Sequence, residues 1–224
     1  MMPQQRLYPI GIQTFSEIRR KNYLYIDKTE YMYRMTHSDS KYLFLSRPRR
    51  FGKTVMANML GAFLTKSAAT AKLFAQLKIG RDAEAMQHIN QYNVIYIDFS
   101  RISSNDYQSY IDNIADALKN DLHKAYPNVD YRAAGGVAED LERITAATGE
   151  RFIFIFDEWD AIFHAAFISE DDRKKYLLFL KDLLKDRVYV QLAYMTGVLP
   201  ISKYTSGSEL NTFAEYNMAT MSLY

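Results

Sequence analysis

The stretch Ser46-Arg-Pro-Arg-Arg-Phe-Gly-Lys-Thr54 decides how the rest of the chain is read. It follows an apolar run, Tyr42–Ser46, that reads as a strand. It precedes Val55, Met56, Met59, Leu60, Phe63 and Leu64, which recur at helical spacing. Pro48 marks a turn between the two. Strand, turn and helix are the setting of the phosphate loop G-x-x-x-x-G-K-[ST] (Walker A). Gly52, Lys53 and Thr54 match that pattern, and Arg47 stands where its first glycine is expected. The matching half has a physical logic. A helix N-terminus points free N–H groups at an anion, and Gly52 lets the backbone approach phosphate oxygens. Lys53 neutralises β/γ-phosphate charge, and the Thr54 hydroxyl ligates Mg²⁺. Pro48 offers no N–H, so the cradle falls to Arg49, Arg50, Phe51 and Gly52. A surface turn ahead of a helix carries G-K-T by chance often enough that the loop alone does not settle its role.

A second stretch answers the first. Phe152-Ile-Phe-Ile-Phe-Asp-Glu-Trp-Asp160 is an apolar run ending in acid. A run apolar throughout is expected of a central parallel strand buried on both faces. This is the Walker B form, in which Asp157 holds Mg²⁺ opposite Thr54. Glu158 is placed to orient and polarise the attacking water as a general base. Asp followed at once by Glu favours hydrolysis over transfer to a small-molecule acceptor. Solvated carboxylates at a strand end are common; the order of the two motifs, with a strand–helix unit between them, separates the two readings. A later strand ends Tyr194-Met-Thr-Gly197, and Thr196 falls where related ATPases carry a polar sensor residue. Its hydroxyl is a candidate partner for the attacking water or the γ-phosphate. The site expected from the residues is thus Lys53, Glu158 and Thr196 for chemistry, residues 49–54 for the nucleotide, and Thr54 with Asp157 for Mg²⁺.

The rest of the chain alternates strands and amphipathic helices, which predicts a mostly parallel sheet covered on both faces. Strands are expected at 42–46, 94–99, 152–156, 188–194 and 213–218, with a further short one at 23–27. Ile111, Ile114, Leu118 and Leu122 mark one helix face, and Val137, Leu141 and Ile144 another that Gly149 closes. Ser169 and Asp172 have capping-box spacing and open a helix that runs to about residue 186. Residues 10–29 are expected to wrap the edge of the core, and the possible fifth strand is the last element before residue 224. Phe15 and Ile18 are candidates to cover the adenine ring, with core packing the commoner use of such residues.

Composition narrows the classes. A net charge of +2, from 28 basic and 26 acidic residues, does not mark a nucleic-acid-binding protein. The absence of cysteine excludes disulfides, thiolate metal sites and cysteine nucleophiles. The polar N-terminus does not read as a secretory signal, and the most apolar run is too short to span a membrane. A cytoplasmic protein is expected. His37, His88, His123 and His164 lack metal-ligand spacing and read as structural or exposed. Arg47, Arg49 and Arg50 form a local basic patch that is a candidate to touch γ-phosphate, DNA or a neighbouring subunit, with a solvated loop the equally common reading.

Several blocks together resemble the bacterial AAA-ATPase-like family. They are Gly11-Ile-Gln-Thr-Phe15 with Tyr25-Ile-Asp-Lys-Thr29, the Ser46–Thr54 loop with its arginines, Phe156-Asp-Glu-Trp-Asp160, and Met195-Thr-Gly-Val198 with Ser202-Lys203. The resemblance implies an α/β, three-layer P-loop NTPase of the ASCE type, with a five-stranded sheet in the order 5-1-4-3-2 and an N-terminal wrapping segment. It implies ATP and Mg²⁺ as cofactors, and residues 1–40 packed on a core formed by 41–224. In the family a helical lid and often a PD-(D/E)XK nuclease-like domain follow the core; neither is found in these residues. A homo-oligomer, with Arg173 or Arg187 as a finger, and a DNA partner are the associations the family suggests. No membrane association is expected. Without a lid, slow ATP turnover is expected. The alternative is a nucleotide-controlled switch that binds ATP with little turnover. Asp157-Glu-Trp-Asp160 also fits the D-E-x-D form of helicases, which need a second lobe that this length does not provide.

Overall fold

The computed structural model describes residues 7–36, 39–66, 69–204 and 210–216. Five strands form one sheet: β1 Tyr42–Ser46, β2 Asn93–Asp98, β3 Phe152–Asp157, β4 Val190–Gly197 and β5 Ala214–Tyr216. Their order is β2-β3-β4-β1-β5 and every pairing is parallel. This is the expected order 5-1-4-3-2 read from the other edge. The helices are α1 Phe15–Arg20, α2 Thr29–Thr36, α3 Lys53–Leu64, α4 Ala71–Phe74, α5 Ala83–Met86, α6 Tyr107–Ala125, α7 Val137–Thr148 and α8 Glu170–Leu184.

Strand alternation divides the core into two layers. Tyr42, Phe44, Phe152, Phe154, Phe156 and Met195 face α6, α7 and α8. Leu43, Leu45, Ile153, Ile155, Leu192 and Tyr194 face α3, and Phe15 of α1 and Met32 of α2 complete that layer. Every residue of β3 is buried, as its unbroken apolar sequence requires of a central strand. Burial of each large apolar side chain contributes about 1.5–3 kcal/mol. The run Phe152-Ile-Phe-Ile-Phe156 therefore offsets what the strand loses by carrying the Asp157 carboxylate to full burial.

Helix ends follow their local chemistry. Gly149 caps α7 in the left-handed region at φ 73°. Ser169 and Asp172 form both bonds of a capping box at 3.1 Å, so the shorter Asp serves where Glu is preferred.

Several elements depart from the sequence expectation. Residues 23–28 form no strand: Tyr23 N–H turns back to the Ile18 carbonyl at 3.0 Å, Leu24 N–H donates to the Leu7 carbonyl at 2.8 Å, and no strand of the described residues pairs with them. β2 and β4 are shifted from 94–99 and 188–194. Val188 and Tyr189 belong to the turn closed by Val190 N–H on the Arg187 carbonyl, and β4 runs on to Gly197. α8 stops at Leu184, two residues early. The fifth strand is Ala214–Tyr216; residues 217 and 218 lie outside the described residues. No helix of the described residues is long and apolar enough to cross a membrane.

Gly197 ends β4 against the indole of Trp159. A Cβ there would stand 2.6 Å from Nε1 and 2.8 Å from Cδ1 of that fully buried ring. Gly197→Ala should therefore destabilise the fold by about 1–3 kcal/mol, the usual range for overpacking. Urea unfolding followed by far-UV circular dichroism measures this, and a wild-type midpoint would refute it.

Candidate active site at the carboxyl edge of the sheet

The candidate residues converge where β1, β3 and β4 end, the edge at which open parallel sheets bind ligands. β1 runs out at Ser46, in register with Gly197 of β4, and Arg47 N–H donates to the Gly197 carbonyl at 3.2 Å. The loop then turns through exposed residues 48–52, with Arg50 at φ 68° and Gly52 at φ 80°. Both lie in the left-handed region, which a side chain tolerates poorly and glycine readily. α3 starts at Lys53 without a side-chain cap. Its first N–H groups are thus left for an anion.

Lys53 is buried, and its ammonium donates to the carbonyls of Arg47 at 2.9 Å and Pro48 at 3.2 Å. An ammonium has three donors, so two hold the loop closed around it and one remains. Arg47 departs from the expectation of a solvated basic patch. It is 8% exposed, and its guanidinium donates to the Ser46 carbonyl at 3.3 Å. A charge run in sequence does not say which carbonyls stand ready to accept from it. Arg49, Arg50 and Phe51 are exposed as expected of the loop.

Asp157 ends β3 opposite this loop, fully buried. Its Oδ1 accepts the Thr196 hydroxyl at 2.5 Å, while Oδ2 has no hydrogen-bond partner among the described residues. Burial pushes its pKa above the ordinary carboxylate value; the Thr196 and Thr54 hydroxyls and the Lys53 ammonium oppose that shift. A buried carboxylate oxygen with no partner is costly. A divalent cation between Asp157 and Thr54 would satisfy it, so the donor set fits Mg²⁺.

Glu158 leaves the strand with φ 50°, a left-handed backbone that costs a non-glycine residue about 1–3 kcal/mol. Its N–H donates to the Thr196 hydroxyl at 3.2 Å, which fixes the turn. Its carboxyl is half-buried and its pKa is raised, first by burial and then by Asp157, with Lys53 acting against both. Thr196 is fully buried, and its hydroxyl bridges Asp157 and the Glu158 amide instead of facing the crevice.

β3 stops at Asp157, and Trp159 lies in the core layer of α6, α7 and α8, its backbone N–H on the Thr196 carbonyl at 3.1 Å and its carbonyl accepting from Tyr176 at 2.7 Å. Asp160 accepts the Val198 N–H at 2.9 Å and is 2% exposed, which makes the last acid of Asp-Glu-Trp-Asp a structural cap.

Sequence reading missed the wall between α3 and β2. Asn58 donates to the Tyr96 hydroxyl at 2.9 Å, and burial together with the nearby Asp157 raises the Tyr96 pKa far above its ordinary value. The spacing of an exposed edge-strand tyrosine gives no signal of this. Arg187, named as a candidate finger, pairs with Glu142 at 2.8 Å ahead of β4, at the other end of the sheet. Arg173 lies in the first turns of α8.

Beside the loop opens a cavity of about 550 Å³, lined by Ile12, Ile18, Tyr25, Phe51, Met56 and Met59 among others. Ile18 belongs to this wall, whereas Phe15 is packed against Phe74 in the core and does not line it. A second cavity, of about 340 Å³, opens at the opposite edge of the sheet around Lys41 and Gln191, away from Lys53 and Asp157.

Three similarities bear on this arrangement. An uncharacterized protein in the vnfD 5'region of Azotobacter chroococcum mcd 1 is 30% identical over 218 residues, covering 94% of this chain. The chain spans 40% of the length of that relative. Among solved structures, CDC6P from Pyrobaculum aerophilum aligns over 96% of this chain and 47% of that one, at 12% identity and a TM-score of 0.39. At that level it adds nothing to the strand order as a statement of fold. The sequence profile of the predicted AAA-ATPases matches residues 9–205, a span that holds the loop, the acidic turn and Thr196. With most of its length and every candidate site residue inside that match, the chain belongs to the predicted AAA-ATPase family, whose function is of the P-loop ATPase kind.

Proposed function

We propose that this chain binds ATP with Mg²⁺ and hydrolyses it. The observation that carries the reading is the buried, unpartnered Asp157 Oδ2 set against Thr54 and Lys53. Bound Mg²⁺ would supply Lewis-acid polarisation of the phosphate oxygens. Thr54 and Asp157 would hold it, and the remaining donor of Lys53 would reach the β/γ-phosphates. The amides of residues 49–54 would cradle the chain of phosphates. The apolar cavity beside Phe51 and Ile18 suits a purine ring, and its position next to Gly52 supports placing the base there.

Glu158 would take the proton of the attacking water. A carboxylate whose pKa is raised toward neutrality is a stronger base than an ordinary one. Its left-handed backbone and its amide bond to Thr196 hold it in one direction. Thr196 would act by holding Asp157 and Glu158 in place, with the one hydroxyl lone pair it keeps able to accept from the attacking water. We place residues 1–40 as a segment packed on an ATPase core of 41–224, working in the cytoplasm. Lid, nuclease-like domain, DNA and further copies of the chain are partners for this unit that the family suggests.

Lys53→Ala should weaken ATP binding at least tenfold, or about 1.4 kcal/mol. Calorimetry that finds equal affinity would remove the P-loop reading.

Glu158→Gln should keep ATP bound while phosphate release falls by about 10²-fold or more. In the parent chain, the base form of Glu158 is lost as pH drops through its raised pKa. Turnover should therefore fall on acidification with a midpoint above the ordinary 4.5. Glu158→Gln should lack that limb. A variant that releases phosphate at the parent's rate would leave Glu158 as a strand-end acid only.

A further inference from the structure

The block Tyr25-Ile-Asp-Lys-Thr29 has a division of labour that its sequence does not reveal. Asp27 Oδ1 accepts from the Thr29 N–H at 3.0 Å and from the Thr29 hydroxyl at 2.6 Å. Its Oδ2 accepts the Lys78 N–H at 2.7 Å. The Thr29 hydroxyl in turn accepts the Ile79 N–H at 3.2 Å, and Thr29 is fully buried. Both neighbours of Lys28 are thus pinned to the turn at residues 78–79. The Lys28 carbonyl accepts from Tyr31 at 3.2 Å and Met32 at 3.4 Å, which opens α2. Everything in this turn is committed except the Lys28 side chain.

That side chain reaches the phosphate loop. A Cβ on Gly52 would stand 4.0 Å from Lys28 Nζ. Lys28 also lines the same cavity of about 550 Å³ as Arg50, Phe51 and Gly52. Among the described residues no carboxylate pairs with its ammonium. A cation at the start of one helix, beside the start of another, opposes both helix dipoles. The exposed Arg50 adds a third positive source. Lys28 is exposed, but its backbone is pinned between Asp27 and Thr29, so its ammonium is presented beside the loop and stands available to an anion there.

We infer that Lys28 is a second phosphate-binding lysine of the nucleotide site, acting on the α/β-phosphate end. The assignment rests on the proposed P-loop reading. Lys53 is buried toward Asp157, the end where Mg²⁺ and the γ-phosphate belong. The cavity lies on the other side of Gly52, so a chain of phosphates running from the base to Asp157 passes Lys28 first. Lys28 therefore contributes equally to ADP and ATP, which share that end.

The test is calorimetry of ADP and ATP binding, with Mg²⁺, to the parent chain and to Lys28→Ala, Lys28→Arg and Lys53→Ala. Lys28→Ala should lose about tenfold in affinity for both nucleotides, the size of one charge-assisted contact. Its melting temperature without nucleotide should match the parent's, because the clamp of Asp27 and Thr29 is intact. Lys28→Arg should recover most of the loss. A parent that binds while Lys28→Ala binds ADP equally well overturns this inference and leaves the P-loop reading standing. A loss confined to ATP moves Lys28 to the γ end and overturns it as well. A parent chain that binds neither nucleotide sinks the P-loop reading and this one with it.

Discussion

One hydroxyl organises the acidic end of this molecule. The Thr196 hydroxyl donates a hydrogen bond to Asp157 and accepts one from the Glu158 N–H, so a single side chain on β4 fixes both acids at the end of β3. The constraint behind it is burial. Asp157 sits on a strand whose five preceding residues are apolar and enclosed on both faces, and its charge has little water to rely on. Hydrogen bonds from Thr196 and attraction from Lys53 favour the ionised form, yet burial still raises its pKa. The site is therefore short of positive charge at one oxygen of one residue, which is the condition a tightly placed cation relieves.

Much of this was legible because the two motifs are local. Residues 46–54 contain their own strand end, turn and helix start, and residues 152–158 contain a central strand and its acids. No long-range knowledge was needed to put Lys53, Thr54, Asp157 and Glu158 at one edge, since parallel strands joined by helices bring their carboxyl ends together. The strand order followed from the family resemblance, not from spacing. What failed was whatever depended on a distant partner. Residues 23–27 have the alternation of a strand, but strands exist only where an edge is free to pair, and that segment spends its polar groups on Leu7 and the 78–79 turn. Arg47 read as solvated because the Gly197 carbonyl that receives its amide, and the burial that goes with it, come from folding and not from neighbouring letters.

The acids of Asp157-Glu-Trp-Asp160 show how one motif divides its roles. Asp157 is buried and under-satisfied, Glu158 is half-exposed on a left-handed backbone, and Asp160 is spent on the Val198 amide. The same residue type thus serves in one position as an electrostatic demand and three positions later as a cap. Tyr25-Ile-Asp-Lys-Thr29 divides likewise, with its acid and hydroxyl consumed by the backbone and its lysine left over. In both blocks one member is left with its bonds incomplete.

The end of β4 is bonded in two directions. The Gly197 carbonyl takes the Arg47 amide that begins the phosphate loop, while Thr196 and Val198 hold the acidic turn. Neither motif can be displaced without straining the three-residue run 196–198 to which the other is also bonded. Opening the loop alone would strip its first amide of a partner in a buried place, so the low-energy excursion is one in which loop, turn and strand end loosen together. Amide protons on both motifs would then exchange by one shared fluctuation. A ligand gripping the loop alone would then slow exchange in the acidic turn as well.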